Sequence, residues 1–222
     1  MSGAMEARLA KIFSQTTEAE RAEIDRAASF IRAGKLVAIP TETVYGLGAN
    51  ALDAEAVKSI YEAKGRPSDN PLILHVCSME MADSVVRLNW RARYLMERFW
   101  PGPLSLVLFA RDSVPLRTRG GLETAAIRMP DNRLALELIR ASGVPIAAPS
   151  ANISGRPSPT DAQTVRDDVG GKVAAILDGG ACRVGVESTV IDITGDDVVL
   201  LRPGGLAKED IEKALGITVM LP

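Results

Sequence analysis

Cysteine and histidine are nearly absent from this 222-residue chain: Cys77 and Cys182 are the only cysteines and His75 the only histidine. Two separated cysteines make neither a C-x-x-C pair nor a disulfide framework, so a reduced, cytoplasmic setting is expected. One histidine excludes a polyhistidine zinc site, and the two cysteines do not complete one. Any metal is expected as a hard cation carried on a ligand's phosphates. An excess of one charge is also missing. The net charge of -2 gives no global pull toward nucleic acid, so an anion site has to be local. No apolar run approaches the ~20 residues that span a bilayer, and no membrane partner is expected. Residues 1–15 mix charged and small residues without a basic stretch leading into an apolar one, so they do not read as a signal peptide.

Hydrophobic residues at 46 % and charged residues at 24 % are ordinary globular values, enough for one large domain with a substantial core. Helical spacing of Ile24, Ala27, Ala28 and Ile31 predicts a helix over 17–33, ended by Gly34. Further helices are expected from Asp53 to Lys64-Gly65 and over 79–87, 90–100, 134–141, 161–169 and 207–215. Apolar runs predict strands over 36–39, 72–76, 104–110, 124–129, 144–148 and 173–177. A hairpin of 189–193 with 198–201 is expected around Gly195-Asp196-Asp197. Strands that alternate with helices yet also pair in a hairpin point to a mixed α/β sheet. Residues 1–16 read as an N-terminal extension, 17–205 as the domain, and 206–222 as a short helix and strand, with Arg202 to Gly205 as the one linker.

Two polar segments follow buried strands, where sites are usually built. One is Pro40-Thr41-Glu42-Thr43-Val44-Tyr45-Gly46-Leu47-Gly48, leading on to Lys64-Gly65-Arg66-Pro67; the other is Pro149-Ser150-Ala151-Asn152. Their hydroxyls, amide groups and paired cations suit a polyanion bearing polar groups better than an apolar ligand. Each element also has a plain structural reading. Lys64 and Arg66 fit a solvated helix C-terminus, Ser150 and Asn152 fit turn residues, and Thr41 and Thr43 fit alternation at a strand end. Arg128, between apolar Ile127 and Met129, falls on the opposite face of its strand, and a partly buried arginine needs an anionic partner. A substrate carboxylate would supply one. Glu42 and Glu187 are candidate bases to which the sequence assigns no role.

The stretch from Lys35 to His75, together with Trp100-Pro101-Gly102-Pro103-Leu104, Ile127-Arg128-Met129-Pro130, Ser150-Ala151-Asn152 and Glu187-Ser188-Thr189, resembles the YrdC-like family of threonylcarbamoyl-AMP synthases. The resemblance covers roughly residues 20 to 205. It implies a twisted mixed sheet with flanking helices and a concave, basic active-site face. It further implies a catalytic, nucleotide-binding tetrad of Lys64, Arg66, Ser150 and Asn152, with ATP held by those four together with Asn70, Thr124, Ser158 and Arg202. L-threonine would be lined by Thr43, His75, Arg128, Ala148 and Ser188. The implied reaction condenses L-threonine, bicarbonate or CO2, and ATP, with Mg2+ arriving on the nucleotide. The product would serve tRNA modification by a separate transferase complex. Longer relatives continue into a second C-terminal domain, for which this chain is expected to have no counterpart. The rival reading is a double-stranded RNA or tRNA-binding module on the same fold. The absence of a basic run and the 4 % aromatic content weigh against it.

Overall fold

The computed structural model describes residues 3–222. Nine strands form one mixed sheet: β1 (Val37–Ile39), β2 (Gly46–Asn50), β3 (Ile73–His75), β4 (Leu104–Phe109), β5 (Thr124–Arg128), β6 (Ile146–Ala147), β7 (Ala175–Ile176), β8 (Thr189–Asp192) and β9 (Val199–Arg202). Their order across the sheet is β7-β1-β2-β6-β3-β5-β4-β8-β9. Three pairs are parallel, β1 with β7, β3 with β5, and β4 with β8; the remaining neighbours are antiparallel. The sheet is therefore mixed, as the alternation of elements implied.

Eight helices flank it: α1 (Gly3–Phe13), α2 (Glu18–Arg32), α3 (Ala54–Lys64), α4 (Met79–Val85), α5 (Trp90–Phe99), α6 (Arg133–Ser142), α7 (Ala162–Val169) and α8 (Lys208–Leu215). Helix α2 starts at a capping box, Thr17 with Glu20, and buries Ile24, Ala27, Ala28 and Ile31 at the predicted spacing. Helix α3 starts where Asp53 caps the amides of Glu55 and Ala56, and it buries Val57, Ile60, Tyr61 and Lys64 on one stripe. It stops at Gly65, whose φ of +62° is in the left-handed region that glycine adopts without strain.

Several boundaries differ from the sequence reading. Helix α4 ends at Val85 rather than 87, because the chain turns extended at Val86 to bridge Ala110. Strand β7 is only Ala175–Ile176, since it pairs with β1 alone at the sheet edge. Strand β2 is new. Its Gly46-Leu47-Gly48-Ala49 has no strand propensity, but a Cβ on Gly48 would lie 2.9 Å from Ile146 Cγ2, so glycine lets β2 lie flush against its neighbours. Within the stretch read as an N-terminal extension, Gly3–Phe13 form α1. Met5 is buried in the core, and Arg8 Nη1 donates to Trp100 O at 3.0 Å. The last residues extend the sheet edge, with Leu200 N donating to Met220 O and Met220 N to Val198 O, both at 2.8 Å.

Candidate active site

One face of the central strands is concave because its side chains are small. Along β5, Thr124, Ala126 and Arg128 face a cavity while Ala125 and Ile127 pack into the core behind, as the two-residue period requires. Gly46 on β2 and Ala148 after β6 continue this low floor; a Cβ on Gly46 would come within 3.0 Å of Ala148 Cβ. The cavity holds about 500 Å³, a size suited to a small organic ligand.

Ten of the thirteen site residues named from the sequence line it: Thr43, Arg66, Asn70, His75, Thr124, Arg128, Ala148, Ser150, Ser188 and Arg202. The other three, Lys64, Asn152 and Ser158, stand behind the wall or at its edge. Lys64 is 2 % exposed, since it continues the buried stripe of α3. Its Nζ donates to Ser150 O, to Asn152 O at 2.6 Å and to Asn152 Oδ1 at 3.3 Å. All three ammonium protons are thereby engaged, so Lys64 organises the Ser150–Asn152 loop. Burial, with help from the Arg66 charge, lowers its pKa to about 8. Asn152 passes the constraint on: its Nδ2 donates to Ile153 O at 2.9 Å and to Arg156 O at 2.7 Å. At the end of that loop, Ser158 Oγ donates to Glu187 Oε1 at 2.6 Å and holds the Glu187 carboxyl below the usual carboxylate range.

Gly65 reverses the chain so that Lys64 points under the loop while Arg66 lines the cavity. Arg66 makes no ion pair among the described residues, and its Nε is buried without a hydrogen-bond partner. Arg202 donates from Nε and Nη2 to Ser188 O, at 3.1 and 2.7 Å, and from Nη2 to Ser188 Oγ at 3.0 Å. Burial lowers the pKa of both arginines from the ordinary value.

The anionic partner that Arg128 requires is within the protein. Its Nη2 lies 2.6 Å from Glu42 Oε2, and both side chains are at most 4 % exposed. Arg128 Nε donates to Gly102 O at 3.2 Å and Nη1 to Thr43 Oγ1 at 3.0 Å. The Trp100-Pro101-Gly102-Pro103 turn is built for this contact. A Cβ on Gly102 would sit 2.3 Å from Phe99 O, so only glycine brings that carbonyl to the guanidinium. His75, opposite Arg128 in the β3–β5 register, is 3 % exposed, and its Nδ1 has no partner among the described residues. Burial, reinforced by the Arg128 charge, pushes its pKa down to about 3, so the ring is neutral.

The sequence reading missed Ser105, Asp192 and Leu201. Ser105 was visible as the single polar residue inside the apolar run 104–108, and its Oγ lies 2.8 Å from Ser188 Oγ. Asp192 and Leu201 line the cavity through strand alternation that carries no chemical signature. The lining sets Arg66, Arg128 and Arg202 beside Glu187 and Asp192.

A family model described as telomere recombination, Sua5/YciO/YrdC, matches residues 29–204. The chain is 60 % identical over 198 residues to a threonylcarbamoyl-AMP synthase of Pyrococcus abyssi, covering 89 % of this chain and 58 % of that protein. It is 56 % identical over 196 residues to a threonylcarbamoyl-AMP synthase of Bacillus subtilis, covering 87 % and 57 %. The crystal structure of P. abyssi Sua5 complexed with L-threonine superposes with a TM-score of 0.89 at 58 % identity, covering 91 % of this chain and 59 % of that one. The chain thus spans less than three fifths of the length of these relatives.

Proposed function

The chain belongs to the Sua5/YciO/YrdC family, and from that premise we propose that it is an L-threonylcarbamoyladenylate synthase, condensing L-threonine, bicarbonate or CO2, and ATP into threonylcarbamoyl-AMP and pyrophosphate. One observation carries the reading: residues assigned to the amino acid and residues assigned to the nucleotide line one continuous cavity. Two substrates in one cavity is what a condensation requires.

In this reading L-threonine occupies the buried end, beside Thr43, His75, Arg128, Ala148 and Ser188, and ATP the open end, beside Arg66, Asn70, Thr124, Ser150 and Arg202. The threonine amine takes up CO2 as a carbamate, and a carbamate oxygen attacks the α-phosphorus with loss of pyrophosphate. Neither cysteine lines the cavity, and burial raises both thiols to a pKa of about 11, which disfavours a thiolate nucleophile. Rate enhancement then comes from positioning and from Arg66 and Arg202 facing charge at the phosphates. Mg2+ enters on the nucleotide as part of the substrate.

The product is a mixed anhydride that decays in water, so the proposed partner is a separate transferase complex that passes the group to tRNA in the cytoplasm. No helix among the described residues is long and apolar enough to cross a membrane. The test follows pyrophosphate release from ATP with threonine and bicarbonate omitted in turn, and identifies the product by mass spectrometry with labelled bicarbonate. Release that needs both substrates, with label in an AMP adduct, is expected; equal release without threonine would sink the reading.

A further inference from the structure

Thr41 and Glu42 directly precede Thr43 and have no role in the reaction as set out above. The hydrogen bonds of Thr41, with the Glu42–Arg128 ion pair beside them, fix the direction of the one on Thr43. Thr41 Oγ1 donates to Val44 O at 2.6 Å, and a hydroxyl has one proton to give. Thr41 Oγ1 is also 2.9 Å from Thr43 Oγ1. Thr41 Oγ1 also receives the Thr43 and Val44 amides, at 3.1 and 3.2 Å, as one shared three-centre acceptor, and with its own proton on Val44 O the proton in the Thr41–Thr43 contact is that of Thr43. On its other side Thr43 Oγ1 accepts from Arg128 Nη1 at 3.0 Å, and a guanidinium has no acceptor. Arg128 cannot turn away, because Gly102 O holds its Nε and Glu42 faces its Nη2. Thr43 is left with one lone pair, and it lines the cavity.

We propose that Thr41 and Glu42 are positioning residues that fix the Thr43 hydroxyl as a hydrogen-bond acceptor, so that this end of the cavity selects a donor on the amino-acid substrate, its amine or its side-chain hydroxyl. The assignment rests on the synthase reading. Ser188 provides an internal contrast. Its Oγ accepts from Arg202 Nη2 at 3.0 Å and lies 2.8 Å from Ser105 Oγ, but Ser105 Oγ has no further hydrogen bond among the described residues. The proton between those two serines can lie either way, so Ser188 adapts to a ligand while Thr43 does not.

The experiment measures pyrophosphate release for wild type, Thr41→Val, Thr41→Ser and Glu42→Gln, each with L-threonine and with L-2-aminobutyrate, which lacks the hydroxyl. If Thr43 accepts from the substrate hydroxyl, Thr41→Val lowers the preference for threonine over aminobutyrate by roughly five- to tenfold, the loss of about one hydrogen bond. If it accepts from the amine, KM rises by that factor for both amino acids. In both cases the KM for ATP holds and Thr41→Ser, which keeps the hydroxyl, restores wild-type values. Thr41 Oγ1 also accepts from Thr43 N and Val44 N, so valine there can prevent folding. Glu42→Gln, of unchanged shape, is therefore the second arm, with a raised threonine KM at constant ATP KM expected. Folded variants with wild-type threonine KM and selectivity, or a Thr41→Ser protein as impaired as Thr41→Val, overturn the assignment. A wild-type protein inactive with every amino acid overturns the synthase reading itself.

Discussion

Arg128 at the buried end of the cavity and Arg66 at its open end are held in opposite ways. At the buried end Arg128 is 3 % exposed, is matched by Glu42 and is fixed by Gly102 O and Thr43 Oγ1. At the open end Arg66 has no acidic partner among the described residues, and the one side-chain hydrogen bond it makes among them is a long donation from Nη2 to Pro71 O at 3.5 Å. Burial explains the difference. A cation fully withdrawn from water needs its counter-charge built into the fold, whereas one only partly withdrawn, near the mouth, stands without a built-in acid. Arg128 therefore contributes geometry, its charge being already compensated. Arg66 keeps its charge available for a phosphate.

The sharpest way to break that contrast is to remove each arginine and measure stability and binding together. Arg128→Met leaves the Glu42 carboxylate buried and alone, and a loss of about 3–5 kcal/mol in denaturant unfolding is expected. Arg66→Ala should leave stability within about 0.5 kcal/mol of wild type. It should instead remove roughly 1.5–3 kcal/mol of nucleotide binding, about tenfold to a hundredfold by calorimetry. Equal stability losses at both positions, or unchanged nucleotide affinity in Arg66→Ala, would erase the distinction.

Lys64 tests whether the open end depends on a hidden scaffold. Lys64→Met keeps the bulk of the side chain but strips the donor from Ser150 O and Asn152 O. Roughly 1–2 kcal/mol should be lost, and amide exchange over 150–158 should quicken. The ATP KM should rise while the threonine KM stays, because no threonine-end residue touches that loop's donor. A rise in both would mean that the two ends are mechanically one.

Much of this contrast was readable before folding, but unevenly. The apolar runs 36–39, 104–110 and 144–148 announced β1, β4 and β6, and the order of the polar motifs placed ten residues in one cavity. Lys64, read as a solvated helix end, is buried because it is the next position on the stripe Val57, Ile60, Tyr61. Its hydrogen bonds were not readable, because Ser150 and Asn152 lie on a segment distant in sequence. Arg128 signalled its need for an anion, but Glu42, far away in the chain, became its partner only through the sheet. Strand β2 was hidden by its glycines, whose value is the close approach of Ile146 and Ala148 and appears only when those neighbours are in place. Long-range pairings are what local pattern does not carry.

The smallest effect expected is one of pH, and it concerns the buried end alone. His75 has a folded pKa of about 3 against an ordinary 6.5. Between those values the unfolded chain binds a proton that the folded protein refuses, so stability falls as pH drops through that window and is unaffected above it. The slope from this one group is about 1.4 kcal/mol per pH unit at most. His75→Gln, neutral at every pH, should flatten the unfolding curve between pH 6.5 and 4 relative to wild type, leaving the carboxylate contribution common to both. Because the ring is neutral throughout the physiological range, the threonine KM should have no inflection near pH 6.5. An inflection there that disappears in His75→Gln would mean that His75 takes up a proton within the folded site, and that the buried end is wetter than its 3 % exposure indicates.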